Sequence, residues 1–392
     1  MNAITLIASP RYIPVASGMF SIGQWYAEGK ESSLGGNAAI SFIPALQYSP
    51  EFSLIPTFES SYQGTRSAEE LAGGDTFFQD TWVNGVNLKA VHTLTEQWTL
   101  RERVGYHSKW FRETTDETWT HGLYDYRFPT VGAEAEYAFT KQTRLAFSYD
   151  FSYLQFPNYS SLESQQSPDN AREFSGSHVL DSRVNLLLMR FAAPLFWNIG
   201  SNLQFTYSPR DYIDQHVVVL TGELTPTRRR DLLLGSALNL DRTFHLAPSV
   251  KLFSNIQYSY SSFDSNQNHY DAQVTTFIPD YYDYWQNVIG MQLTLAFGKK
   301  SAGPMLMDLG YNYSYRDYRS RVIQASDGTY LSEKLYQIEQ SIDLGFSYPL
   351  SRTFRLRTTA NFSQSKSNND YEAVYRYNYH NANYQFGFTY DY

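Results

Sequence analysis

No cysteine occurs among the 392 residues of this chain. Structural disulfides, thiolate metal sites and cysteine nucleophiles are therefore excluded, whatever the compartment. A long apolar run is missing too. A membrane-spanning helix needs about 18 or more consecutive apolar residues, and the best stretch, Val184 to Trp197, is interrupted by Arg190 and Pro194. If the chain crosses a membrane, it crosses as strands. Charge is scarce: Asp, Glu, Lys and Arg make up 18% of the residues, and the net charge of -8 argues against a nucleic-acid binder. Residues 1 to 14, MNAITLIASPRYIP, lack the charged start and longer apolar centre of a secretory signal. An exported protein beginning this way is expected to be a form whose signal has been cleaved.

What the chain has instead is aromatic side chains, 17% of the total, with 33 Tyr and 26 Phe. A soluble chain of this size fills its core with Leu, Ile and Val and its surface with Lys and Glu. Here Tyr, Ser, Asn, Gln and Thr prevail, which suits walls that face lipid on one side and water on the other. The pattern is clearest in the last stretch, Asn381 to Tyr392, which reads NANYQFGFTYDY. Tyr384, Phe386, Phe388, Tyr390 and Tyr392 alternate there with Gln385, Gly387, Thr389 and Asp391, so one strand face is aromatic and the other small or polar. A chain ending on such a strand, with a terminal aromatic, resembles the closing strand of a bacterial outer-membrane β-barrel. The resemblance is to the porin-like class and to no specific family. It implies that the five aromatics are also the signal read by the barrel-assembly machinery, and that the chain resides in the bacterial outer membrane.

The rest of the sequence follows a hairpin rhythm. Seven short connections lie near positions 49, 96, 141, 196, 244, 301 and 350: YSPE, TEQ, TKQT, APLFWN, DRTFHLAP, GKKSAGP and PLSR. Each interval is long enough for two strands and one outer loop. Val131, Ala133, Ala135, Tyr137 and Phe139 share one face, as do Leu145, Phe147, Tyr149, Phe151 and Tyr153, and later Ile289, Met291, Leu293, Leu295 and Phe297. The first strand must lie near Val15 to Ala27, where alternation is poor. Asn202 to Arg230 holds more extended sequence than one loop needs and reads as an outer hairpin extension. Strands on both sides of seven turns, plus one at each end, give about sixteen, with fourteen and eighteen also open. The expected fold is all-β, a transmembrane antiparallel up-and-down β-barrel. It forms a single domain over 1–392, with 1–14 as an N-terminal extension and 381–392 as the closing strand.

Long polar connections alternate with the short turns: Ser60 to Thr76, Arg112 to Gly122, Pro157 to Phe174, Ser261 to Gln273 and Arg316 to Lys334. Short periplasmic turns and long extracellular loops are the layout of outer-membrane barrels. Tyr48, Phe52, Trp98, Phe139, Trp197, Phe297, Tyr348 and Phe354 are expected to form a turn-side aromatic belt. Tyr62, Trp110, Tyr153, Phe156, Tyr260, Trp285 and Tyr315 would form the loop-side one. A soluble sandwich would need unusually long strands and a second layer to cover the aromatics.

The opposite parity gives the interior. Lys89, Arg101, Arg103, Lys109, Arg144, Arg183, Lys251, Arg316, Arg355 and Arg357 fall there, with Glu59, Glu134, Glu136, Asp150, Asp181, Asp308, Glu339 and Asp343. Asn185 is among the polar fillers, whereas Glu102 and Arg190 fall on the lipid parity, close enough to short turns for their cost to be small. Sixteen strands leave room for water rather than a side-chain core. Register places Arg101 and Arg103 beside Glu134 and Glu136, and those beside Arg144. Asp343, Arg355 and Arg357 flank the seventh turn. These charges read either as a ring that selects solutes electrostatically or as a wall network that stiffens neighbouring strands.

Other motifs are weak. Asp264, Asn266 and Asn268 open like a calcium loop, but His269 and Thr275 stand where an EF-hand needs Gly and Glu. The eight His residues form no H-E-x-x-H and no grouping with Ser and an acid. Tyr281, Tyr282, Tyr284 and Trp285 could stack on sugars or form part of the loop-side belt. The expectation is a channel, with no enzyme activity, cofactor or metal, passing small hydrophilic solutes or an exported polymer. The alternative is a scaffold or anchor barrel plugged by loops or a partner. Expected partners are outer-membrane lipid and lipopolysaccharide and the assembly machinery, with a homo-oligomer or a periplasmic partner open and no nucleic acid.

Overall fold

A strand that is apolar on one face and polar on the other is stable only where the two faces meet different surroundings. A sheet of such strands must also close, because an edge in hydrocarbon leaves backbone groups unpaired. In a computed structural model, which describes residues 11–67, 78–114, 116–160, 177–271, 276–298, 302–372 and 376–392, the chain meets both conditions. Sixteen long strands form one closed antiparallel sheet. They are β1 (Ala16–Ala27), β2 (Lys30–Phe42), β3 (Phe52–Ser67), β4 (Phe78–Thr93), β5 (Trp98–Arg112), β6 (Tyr126–Ala138), β7 (Arg144–Leu154) and β8 (Ser182–Leu195). The second half comprises β9 (Ile199–Val218), β10 (Leu224–Ala247), β11 (Val250–Ser265), β12 (Tyr284–Phe297), β13 (Met305–Gln324), β14 (Tyr330–Pro349), β15 (Phe354–Ser367) and β16 (Tyr379–Asp391). Each strand pairs with its sequence neighbour, and β16 closes on β1 from Ser17↔Asp391 to Ala27↔Asn381. A short ribbon, Arg11–Ile13 on Ala45–Gln47, borders the turn-side rim. Residues 1–10 of the expected extension lie outside the described residues.

The apolar face points outward. Phe20, Ile22, Ile40, Val86, Val104, Val131, Phe147, Ile256, Met307 and Phe386 are all exposed. In water such a surface would drive aggregation; in hydrocarbon it is matched. On the turn side, Tyr137 contacts both Trp98 and Phe139, Phe196 meets Trp197, and Phe354 lies 5.4 Å from Phe388. On the loop side, Trp82 meets Trp110, Trp285 meets Tyr315, and Trp119 from the 113–125 connection joins Tyr62 and Trp82.

Two boundaries differ from the sequence expectations. The fifth turn is Pro248–Ser249 rather than a loop around 244, because β10 runs on to Ala247 paired with β11. The stretch Arg316 to Lys334 is a strand hairpin turning at 325–329, not a long loop. Above the membrane both sheet faces are wet, so a strand there needs no hydrophobic alternation and is hard to see in sequence. The same holds for β9 and β10, whose upper parts make the outer hairpin extension. The β1–β2 connection is tight: Glu28 (φ 51°) and Gly29 (φ 76°) sit in the left-handed conformation that two-residue hairpins favour. Parts of the Ser60–Thr76 and Pro157–Phe174 connections, residues 68–77 and 161–176, lie outside the described residues.

Candidate functional site: the lumen walls

Strands β5 to β8 build a charged wall. Register puts Arg101 opposite Glu134 and Arg103 opposite Gly132, which in turn faces Asp150 on β7. Arg101 donates to Glu134 at 2.7 Å and to both Glu136 oxygens at 3.2 and 3.3 Å; Arg144 reaches Glu136 at 3.3 Å. Arg103 spans the intervening strand to make a two-pronged bond to Asp150. Gly132 permits this, because a Cβ there would lie 1.9 Å from the Asp150 Oδ1. Glu134 and Asp150 are nearly buried, at 6% and 8% side-chain exposure, so each depends on its arginines to offset the desolvation of its charge.

Arg190 completes the network by bonding the second oxygen of Glu134. This corrects the parity read from sequence for all of β8. Leu187 and Phe191 are exposed on the outside, Arg190 faces the lumen, and Arg183 and Asn185 face outward, with Asn185 bonded to the outward Tyr149 hydroxyl. A one-residue slip moves every side chain to the other face. Glu102 does face outward, beside His92 at 3.3 Å. The network, with exposed Lys89, borders a recess of about 410 Å³.

The wall of β11 to β16 is different. Its turn-side half borders a larger recess of about 870 Å³, lined by Asn, Gln, Thr, Asp and Arg side chains. Asp308 accepts a hydrogen bond from Thr294 and Asp343 one from Asn361, both at 2.6 Å. Arg355 donates to the Pro304 carbonyl at 3.3 Å, and Arg357, opposite Ser347, projects into the recess. Among the described residues neither arginine makes an ion pair. Asp343 and Arg357, which flank the seventh turn, share this wall without bonding each other. Gln385, Thr389 and Asp391 of the closing strand line the same recess.

At the loop-side mouth the interior is packed. Tyr318, Ile323, Leu335 and Tyr377 form a buried cluster with Tyr284 against it. Arg229 lies between Tyr212 and Tyr282, 4.7 and 4.9 Å from their ring centres, and Arg321 contacts Tyr281, Tyr318 and Tyr377. Cation–π contacts of this kind are strongest where water is excluded. The 276–283 segment therefore folds inward onto the wall. Tyr281, Tyr282 and Tyr284 belong to this packing, while Trp285 belongs to the outer belt. Burial pushes the Asp283 carboxyl in that segment above its usual range, with Asp264 and Asp280 adding to the rise. Burial likewise raises Asp125, which accepts the Phe111 and Gly122 N–H groups. Of the calcium-like residues, Asp264 pairs with Arg319, Asn266 bonds the backbone of Arg228 and Arg230, and Asn268 bonds Val218; Thr275 lies outside the described residues. Among the described residues there is no group of three or more His, Cys, Asp or Glu arranged to hold a metal.

Several solved outer-membrane barrels align with this chain over nearly its whole length. Acinetobacter baumannii OccAB1 aligns over 96% of this chain and 96% of its own, at 10% identity and a TM-score of 0.49. Pseudomonas aeruginosa OpdQ aligns over 97% and 99%, at 8% identity and 0.48. A bacterial polysaccharide outer membrane secretin aligns over 96% and 98%, at 10% identity and 0.45. At such identities the likeness is one of fold alone. No family model matches the chain. No curated protein matches it either.

The terminal aromatics stand on the outer face at the seam. Tyr384 meets Tyr26 and Phe362 edge-on, at 5.8 and 5.7 Å, while Phe386, Tyr390 and Tyr392 are exposed. Tyr392 exchanges backbone hydrogen bonds with Ala16, so the last residue is part of the closure.

Proposed function

We propose that this protein is a channel of the bacterial outer membrane for small hydrophilic solutes, with the lumen as its working surface. The observation that carries this reading is the open polar wall of β11 to β16. Its amides, hydroxyls and unpaired arginines face water beside a recess too large and too polar to be a side-chain core. Such a surface substitutes for hydration shells and leaves arginine charge free to act on a passing ion. No catalytic step is part of this reading.

A second reading has its own support. The inward-folded connections and the buried Tyr–Arg packing narrow the loop-side mouth, as they would in a plugged barrel that serves as anchor or scaffold for a periplasmic partner. Purified protein reconstituted into planar bilayers separates the two. A channel gives stepwise conductance increments, whereas bilayers that stay silent at protein levels where insertion is verified would transfer the assignment to the scaffold. In either case the assembly machinery is proposed to read Tyr384, Phe386, Phe388, Tyr390 and Tyr392.

A further inference from the structure

The outer surface carries arginines where the apolar band ends. On β8 the outward residues run from Leu187 through Asn185 to Arg183; on β9 they run from Phe205 and Tyr207 to Asp211; on β10 they run from Leu234 to Arg230 and Arg228. Arg183, Asp211 and Arg230 stand in one cross-strand row. Beside them the β9–β10 register slips between Asp211 and His216, a bulge that opens the sheet. The result is a recess of about 310 Å³, lined from outside by Arg183, Asp211, Thr227, Arg228, Arg230 and Asn266 and backed through the bulge by the inward Tyr212 and by Arg229, whose charge Asp231 neutralises.

Arginine is concentrated in this patch, whereas two arginines elsewhere on the loop side are ion-paired. Arg66 is neutralised by Asp80 and Arg319 by Asp264. Here, among the described residues, three arginines stand with one carboxylate, Asp211, which pairs with Arg230 at 3.3 Å. Cations at the edge of hydrocarbon cost little in themselves and attract anionic lipid head groups. Guanidinium groups are well shaped for phosphate oxygens, which they bind in pairs.

We propose that this recess binds the phosphate of a phosphorylated glycolipid of the outer leaflet. The net charge of the four side chains, three positive less one negative, matches a sugar phosphomonoester. Asn266 and Thr227 place polar groups beside it for sugar hydroxyls, and the outward apolar residues of β8 to β10 continue below for acyl chains. The site lies outside the barrel and does not depend on what the lumen passes.

The test measures lipid binding to the purified full chain in detergent by native mass spectrometry, with bisphosphorylated lipid A and its dephosphorylated form as probes. Wild-type protein should retain the phosphorylated form preferentially. Arg183→Ala with Arg228→Ala and Arg230→Ala should weaken that binding by at least about tenfold, since each basic residue near an anionic lipid surface contributes several-fold. Binding of the dephosphorylated form and single-channel conductance should not change. Asp211→Asn, which removes the one opposing charge, should tighten binding and gives an independent reading if the triple variant fails to fold. Equal retention of phosphorylated lipid by wild type and triple variant, or no gain from Asp211→Asn, overturns the proposal. Displacement of the lipid by millimolar inorganic phosphate would assign the site to a soluble anion instead. Loss of a homo-oligomer in the triple variant with lipid binding intact would assign it to a subunit contact.

Discussion

The two lumen walls use the same kinds of charged residue to opposite ends. On β5 to β8, acids and arginines are locked together: Glu134 holds Arg101 and Arg190, Glu136 holds Arg101 and Arg144, and Asp150 holds Arg103. On β11 to β16, Asp308 and Asp343 are satisfied by neutral donors, and among the described residues Arg355 and Arg357 pair with no acid. A locked pair presents a small net field to a solute and spends its attraction on the wall, whereas an unpaired guanidinium acts on whatever passes. The charged ring expected from sequence thus divides into an ion-paired segment and one whose arginines make no ion pair among the described residues.

The largest expected effect tests the locked wall. Glu134→Ala leaves Arg101 and Arg190 without their shared acid. The loss should be about 2 to 3 kcal/mol, below the cost of breaking a fully buried pair because both arginines also reach lumen water. Urea unfolding of the folded barrel in lipid vesicles measures it. A change within error would mean that the network does not hold the wall, and the contrast would fail.

A matched glycine pair sharpens the same point. Gly132→Ala puts a methyl group 1.9 Å from the Asp150 Oδ1 and 2.8 Å from the Tyr149 carbonyl, so either Asp150 or the strand must move. Gly345→Ala in the open wall meets Asp308 only at 3.0 Å or beyond. Overpacking of the first kind costs about 1 to 3 kcal/mol; the second should cost less than half as much. Equal losses in the same unfolding assay would show that glycine is needed on both walls alike.

How far these walls could be read from sequence depended on what each face meets. The closing strand and the β6–β7 hairpin alternate strictly, because one face meets lipid and the other water, and their parity was legible down to Glu134, Glu136 and Asp150. Strand β8 was not. Its run Val184 to Ala193 is apolar on both faces, with Leu186 and Leu188 inside, so the pattern cannot choose a parity and Arg190 was assigned to the wrong side. Only pairing to β7, which sets Arg190 opposite Ala146 and Leu188 opposite Ser148, decides it. The upper parts of β9, β10, β13 and β14 were illegible for another reason: both of their faces are wet. The pairing state of Arg355 and Arg357 was also hidden, since register shows which residues are neighbours but not whether a long side chain finds an acid.

Selectivity tests the open wall, with smaller expected effects. Arg355→Glu with Arg357→Glu should move the reversal potential under a salt gradient toward cations. A contact charge in water is worth about 1 kcal/mol, so relative permeability should change by about fivefold, and less at high ionic strength. A reversal potential left unchanged by the double reversal would remove these two residues from the solute path.

The smallest effect gives the most direct comparison, because it removes the same charge from each wall. Arg357→Gln takes away an unpaired guanidinium and should change relative permeability by about twofold. Arg144→Gln removes one that is half-exposed but bonded to Glu136. Arg101 remains on Glu136 in that variant, so the acid stays partly neutralised and relative permeability should barely change. Recording both in the same bilayer and salt gradient cancels differences in insertion and leaves only the effect of pairing. If Arg144→Gln shifts the reversal potential as much as Arg357→Gln, then ion pairing does not screen lumen charge in this barrel. The two walls would then act on solutes as one ring.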